Sequence, residues 1–326
     1  MRALLLFMVV MFVYGQDLAQ KDSMKDSAAQ GDYATKIADI FYALNYNPKR
    51  PKQKINHTQG FCALGTFTPN SEASKRFDIP ILRDKNIPAE VRYSLGGAIK
   101  SDKSKGRGMA LRMQTNAESW SMVLLNTEIN FAKNPQEFIT FFEMRIPQNG
   151  RVDSEKIKTI TQNTPSFKNF EKYMQGIGIT PSVANTAYHS IHTFYFKEKN
   201  GKNIPARITF EPLLGTKYAT QKELDSMNDS FLESDFARHV ANAPIKYNMY
   251  LILANKGDKV DDTTALWQGA HKRALIGTLS VAQTSDGACN DEMFLPADIP
   301  QGVSAPSDPL FSVRNEVYGI TFGRRQ

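Results

Sequence analysis

Residues 55–67 read INHTQGFCALGTF, and this stretch decides the fold. Phe61, Ala63, Gly65 and Phe67 alternate with Cys62, Leu64, Thr66 and Thr68, the period of two that marks a strand with two different faces. Gly60 and Gly65 leave little bulk, which predicts room for something large against the strand. His57 stands at the mouth of the strand. Taken alone it reads as a surface or hydrogen-bonded histidine.

Outward from this strand the same pattern recurs at 91–95, 108–114, 120–125, 191–197, 204–211, 247–254 and 274–281. Helical spacing fills the gaps. Tyr33, Ile37, Ile40, Phe41 and Leu44 predict an amphipathic helix over 32–45. Asn134-Pro135 is a helix start followed by an aromatic face of Phe138, Phe141 and Phe142. Residues 153–176 read as helical, and Thr220-x-x-Glu223 is a capping box opening a stretch to about residue 241. Ser307-Asp308 opens a last helix over 309–324. The prediction is an α+β protein: an antiparallel β-barrel of about eight strands surrounded by helices, in one domain over 31–326.

The 326 residues carry a formal charge of +7, with apolar and charged fractions of a globular protein. Met1-Arg2, the apolar run 3–14 and Val13-x-Gly15 predict a signal peptide over 1–15, then a polar, disordered lead-in over 16–30. No other segment is apolar enough to span a membrane. The expectation is an exported, periplasmic protein. That compartment and the scattered basic residues argue against nucleic acid; a few cations could instead meet an anionic cofactor. The two cysteines, Cys62 and Cys289, could pair or remain buried thiols. CxxCH, P-loop and HExxH motifs are absent, as is a GxGxxG between strand and helix.

The C-terminal stretch PLFSVRNEVYGITFGRR, residues 309–325, places Arg314 and Tyr318 four apart on one helix face. Arg325, seven beyond Tyr318, returns to that face if the helix continues. These could be ordinary residues of an amphipathic helix. They could equally form an Arg–Tyr pair, because a cation beside a phenol favours phenolate, a hard ligand suited to ferric iron.

Taken in order, the motifs H-x-x-G (57–60), VRYS (91–94), GRGMAL (106–111), N-T-x-x-x-F (126–131) and R-x-x-x-Y (314–318) resemble the catalase superfamily, most closely its short catalase-related peroxidases. The resemblance implies a β-barrel that holds heme b. It implies His57 as the distal histidine, Ser94 as its hydrogen-bond partner and Asn126 as the distal asparagine. Phe131 and Phe138 match aromatic residues near the heme, Tyr318 the proximal iron ligand and Arg314 the arginine beside it. Arg92 and Arg325 match arginines that bind the heme propionates. Lys54 stands where most catalases have a third arginine, and keeps the charge without the bidentate fork. His192 matches a histidine near the heme edge, and also reads as a core histidine.

The implied function is a peroxidase that reduces hydrogen peroxide through a ferryl intermediate, with weak or modest catalase activity and organic peroxides left open. An unidentified electron donor completes the reaction. Two alternatives stand beside it: rearrangement of a lipid hydroperoxide, and heme binding without turnover. The expected assembly is a monomer or small homo-oligomer.

Overall fold

A computed structural model of the chain describes residues 31–326. The expected signal peptide (1–15) and lead-in (16–30) lie outside the described residues. A helix over 31–45, α1, precedes the first strand. The barrel strands are β1 (Gly60–Pro69), β2 (Ile87–Leu95), β3 (Arg107–Gln114), β4 (Ser119–Leu125), β5 (Tyr188–His189), β7 (Asn203–Pro212), β8 (Ile245–Leu253) and β9 (Arg273–Thr284). The ladder runs β7-β5-β4-β3-β2-β1-β9-β8, and β8 pairs back onto β7, so the sheet closes on itself and has few free edges. Every pairing is antiparallel.

The alternation in residues 61–67 is obeyed. Phe61, Ala63 and Phe67 point into a core they share with Val91, Tyr93, Met109, Leu111, Trp120, Phe210 and Tyr247. The expected strand over 191–197 is shorter: β6 covers only Phe194–Lys197 and pairs with β7 and with β10 (Val303–Ser304), off the barrel ring. Ser190 to Phe194 are all buried, so no alternation marks which of them bond in the ladder.

The helices between strands are α2 (Ser71–Arg76), α3 (Pro135–Glu143), α4 (Ser154–Asn163), α5 (Pro165–Gln175), α6 (Gln221–Ser226), α7 (Phe231–Asn242) and α8 (Pro309–Gly323). The run 153–176 is therefore two helices. Pro165 forces Thr164 to extended backbone (φ −106°, ψ 110°) and breaks the run there. The stretch after Thr220 is also broken, at Met227, which is extended. The capping box on Thr220 and Glu223 is present.

α1, α3 and α8 pack together through Ile37, Phe41, Ile139, Val313 and Val317, a second apolar cluster outside the barrel. Asp39 on α1 pairs with Arg324 at 2.7 Å, just past α8. The space between this helical layer and the outer face of β2–β4 is where the candidate site lies.

Candidate active site

The register explains why that outer face can host something flat. One cross-strand row reads Gly60–Ser94–Gly108–Leu125 and the next Cys62–Arg92–Ala110–Val123. Opposed residues project to the same face, so each row is a line of mostly small side chains. A Cβ on Gly108 would sit 2.8 Å from Ser94 Oγ and 3.1 Å from His57 Nδ1, so only glycine there lets the imidazole lie on the sheet. The two glycines that marked the sequence act differently from the expectation. A Cβ on Gly60 would lie 2.8 Å from the Arg92 guanidinium, which takes the space there, and Gly65 faces the backbone of Ser280 across a bulge. Their room is filled by the protein itself.

Two adjoining cavities, about 790 and 1200 Å3, meet at His57 and Tyr318, which line both. Lys54, Arg92, Ser94 and Arg325 line the first; Asn126, Phe131, Phe138 and Arg314 line the second. With His192, which also lines the second, all eleven residues singled out in the sequence border these two adjoining cavities.

His57 has a left-handed backbone (φ 53°), a conformation costly for a side chain other than glycine. It is held there by Arg92, whose Nη2 donates to the His57 carbonyl at 3.0 Å, and by Thr58 N–H bonding to Gly97 O at 2.9 Å. The Nδ1 of His57 and Ser94 Oγ are 3.1 Å apart. Burial, reinforced by the Arg92 and Arg314 charges, pushes this imidazole down to about 4. It is therefore neutral at pH 7.

Asn126 borders the cavity, but much of its amide is committed. Its Oδ1 accepts from Arg107 N–H at 2.9 Å and its Nδ2 donates to Lys105 O at 2.8 Å. Phe131 stacks on Phe141 at 3.8 Å between ring centroids and tilts against Phe138 at 5.1 Å, so both rings are wall and packing at once.

On the opposite wall, α8 is started by Asp308, whose Oδ1 accepts from Leu310 N–H at 3.1 Å. One helical turn separates Arg314 from Tyr318, and the guanidinium Nη2 lies 3.4 Å from the phenol oxygen. α8 ends at Gly323, so Arg325 enters from the turn beyond it rather than from the helix face. The sequence reading missed a contribution here. Asp308 also binds His192 Nδ1 at 2.7 Å, and both side chains are almost fully buried. His192 borders the larger cavity with its Nε2 buried and without a partner. Burial lowers the His192 imidazole while the Asp308 carboxylate opposes that shift. The cap signal at Ser307-Asp308 was visible in the sequence; its second use, 116 residues from His192, was not.

The rim carries three cations. Arg92 and Arg325 are 4% and 7% exposed, yet they bond to carbonyl and amide oxygens rather than to carboxylates. Lys54 bonds to the Glu292 carbonyl. Burial and the neighbouring Arg325 and Arg92 charges push its ammonium down to about 7. The Asp291 and Glu292 carboxylates offset Lys54 and Arg325 only in part and pair with neither, and three crowded cations without a paired carboxylate fit an anionic guest. With a phenol on one wall and a neutral imidazole on the other, these residues fit an iron porphyrin with acidic side arms.

A closed antiparallel barrel with a tyrosine-bearing helix across a cationic cavity defines a class of cofactor-holding barrels. The catalase family pattern matches residues 15–325, and the chain belongs to that family. Heme is the cofactor this membership implies. The chain is 29% identical over 282 residues to a catalase-related peroxidase of Synechococcus elongatus, covering 84% of this chain and 83% of that protein. It is 22% identical over 280 residues to one of Mycolicibacterium paratuberculosis, covering 83% and 88%. Among solved structures, catalase A from Saccharomyces cerevisiae superposes with a TM-score of 0.74 at 18% identity, and a fungal catalase with 0.75 at 17%. The chain spans about 60% of the length of those two catalases.

Proposed function

We propose that the protein is a heme b peroxidase that reduces hydrogen peroxide, with electrons from a separate donor. The observation that carries this is the pairing, across one cavity, of a neutral imidazole fixed by Ser94 with a tyrosine fixed by Arg314.

Tyr318 is the residue to hold the iron, and Lys54, Arg92 and Arg325 are those to hold the carboxylates. Heme, when bound there, supplies the electron-transfer chemistry that splits the peroxide bond. The chain supplies placement and proton handling. Ser94 occupies the Nδ1 side of His57, so the other ring nitrogen, Nε2, is the one available to peroxide. His57 takes the proton from one peroxide oxygen and returns it to the departing one, which leaves as water. Two electrons and two protons from the donor complete the reduction of peroxide to two waters. Asn126 lines the same cavity with a polar amide that carries no charge at any pH. Arg314 keeps a positive charge beside the Tyr318 oxygen.

Purified protein should take up hemin, show the absorption spectrum of a tyrosine-ligated ferric heme, and oxidise a chromogenic donor with hydrogen peroxide. Failure to bind hemin, or turnover no faster than free hemin, overturns the proposal. An unreduced allene oxide from a fatty-acid hydroperoxide would favour a rearranging enzyme instead.

Export to the periplasm belongs to the same proposal. It is supported by Arg2, the apolar run 3–14 and Val13-x-Gly15, and by a disulfide, which suits an oxidising compartment. Among the described residues no helix is long and apolar enough to cross a membrane. Native material should begin near Gln16; an intact Met1 in a cytoplasmic fraction refutes export.

A further inference from the structure

The sequence left Cys62 and Cys289 open; in the structure they form a disulfide, with Cα atoms 5.7 Å apart. Cys62 is opposed to Arg92 in the β1–β2 ladder, so both side chains stand on the outer face. Cys289 belongs to a short turn, Ala288–Asn290, that lies outside the barrel sheet. The sulfurs are buried with Phe294 against Ala110 and Val123, in a small cluster separate from the barrel core. Gly287, with φ 95°, lets the chain turn sharply just before the bridge.

The residues after the bridge face the cationic rim. Asn290 Oδ1 accepts from Arg92 Nε at 2.8 Å. The Asn290 and Asp291 carbonyls each accept from Arg325 at 2.9 Å, and the Glu292 carbonyl accepts from both Arg325 (3.1 Å) and Lys54. Arg112 holds the far end through the Met293 carbonyl at 2.6 Å. Every cation of the rim is therefore oriented by one loop. The bridge beside Arg92 ties that loop across to β1, in addition to its backbone connection to β9. A guanidinium binds carboxylate well only when its planar fork is aimed.

We infer that the Cys62–Cys289 disulfide and Asn290 are positioning residues for the cofactor's carboxylates, aiming Arg92, Arg325 and Lys54 from outside the barrel. The inference rests on the heme reading above. Without the bridge, the loop would be held mainly by its bonds to the same cations that the guest must engage.

The test compares hemin with hemin dimethyl ester, which lacks the acidic arms, in release from the loaded protein to excess apomyoglobin. The variants are Cys62→Ala/Cys289→Ala and, with the bridge kept, Asn290→Ala. Both should release hemin about tenfold faster than wild type, the scale of one lost charge-assisted bond. Release of the ester should be unchanged. Wild-type hemin release in both variants overturns the inference, and so does equal acceleration of hemin and ester, which signals general loosening. Removing a bridge that closes so long a loop also costs stability. Should the double variant not fold, a single glycine inserted after Cys289 keeps the bond but displaces Asn290; it must reproduce the selective loss of hemin, and wild-type retention there overturns the inference. A wild-type protein that takes up no hemin at all removes the proposed function as well, whereas normal uptake with unaffected variants removes this inference alone.

Discussion

Two histidines border the same cavity, His57 half-buried and His192 buried, and each is fixed by a different kind of partner. His57 meets a hydroxyl, Ser94, and lies near two arginine charges. His192 meets a carboxylate, Asp308, with its other nitrogen unpartnered. Burial first, and then the arginines, oppose protonation, while the hydroxyl fixes the ring without adding a compensating charge. That leaves His57 neutral and able to accept a proton. A carboxylate fixes a proton on the facing nitrogen, so Asp308 holds His192 as an Nδ1–H donor with a defined orientation. Burial lowers both rings, and the charge of the partner is what differs between them.

The largest effect should come from the wall that His192 supports. Tyr318→Phe removes the proposed iron ligand and should reduce turnover to the level of free hemin, with the tyrosinate absorption bands lost. If that spectrum is unchanged while His192→Ala abolishes it, the roles of the two walls are misassigned.

On the other wall, His57→Ala should leave hemin bound while kcat/KM for peroxide falls by about 100- to 10,000-fold. The wild-type pH profile sharpens the point. With the imidazole at about 4, kcat/KM should be flat through neutrality and fall roughly tenfold per unit below pH 4, as the protonated ring loses its acceptor. A fall beginning near pH 6.5 would mean that burial and the arginines do not act on His57. Linkage has the same sign. An unfolded histidine protonates near 6.5, so this group costs stability as pH drops from about 6.5 through 4.

Asp308 separates charge from capping. Asp308→Asn keeps a good helix cap but withdraws the carboxylate from His192, and turnover should fall by about tenfold with little change in melting temperature. Asp308→Ala should additionally cost about 1 kcal/mol of stability. Equal turnover in Asp308→Asn and wild type would reduce Asp308 to a cap. The smallest effect belongs to Ser94→Ala, which removes one orienting bond: about a threefold to tenfold loss in kcat/KM, with the pH profile unmoved.

What is periodic or local was legible in the chain alone. Alternation along residues 61–67 gave the strand and its inward face, Asn134-Pro135 and Ser307-Asp308 marked helix starts, and four-residue spacing put Arg314 beside Tyr318. Whatever depends on distant partners came only with the folded chain. Folding closed β8 onto β7, joined Cys62 to Cys289 across 227 residues, brought Asp308 to His192, and gave the space beside Gly60 to Arg92. It also broke the run at Thr164, where the following proline overrides an otherwise helical pattern. Periodicity reports which face of an element is buried; only the closed barrel and its covering helices settle which buried group meets which, because those pairings depend on register and on loops whose positions no local rule specifies.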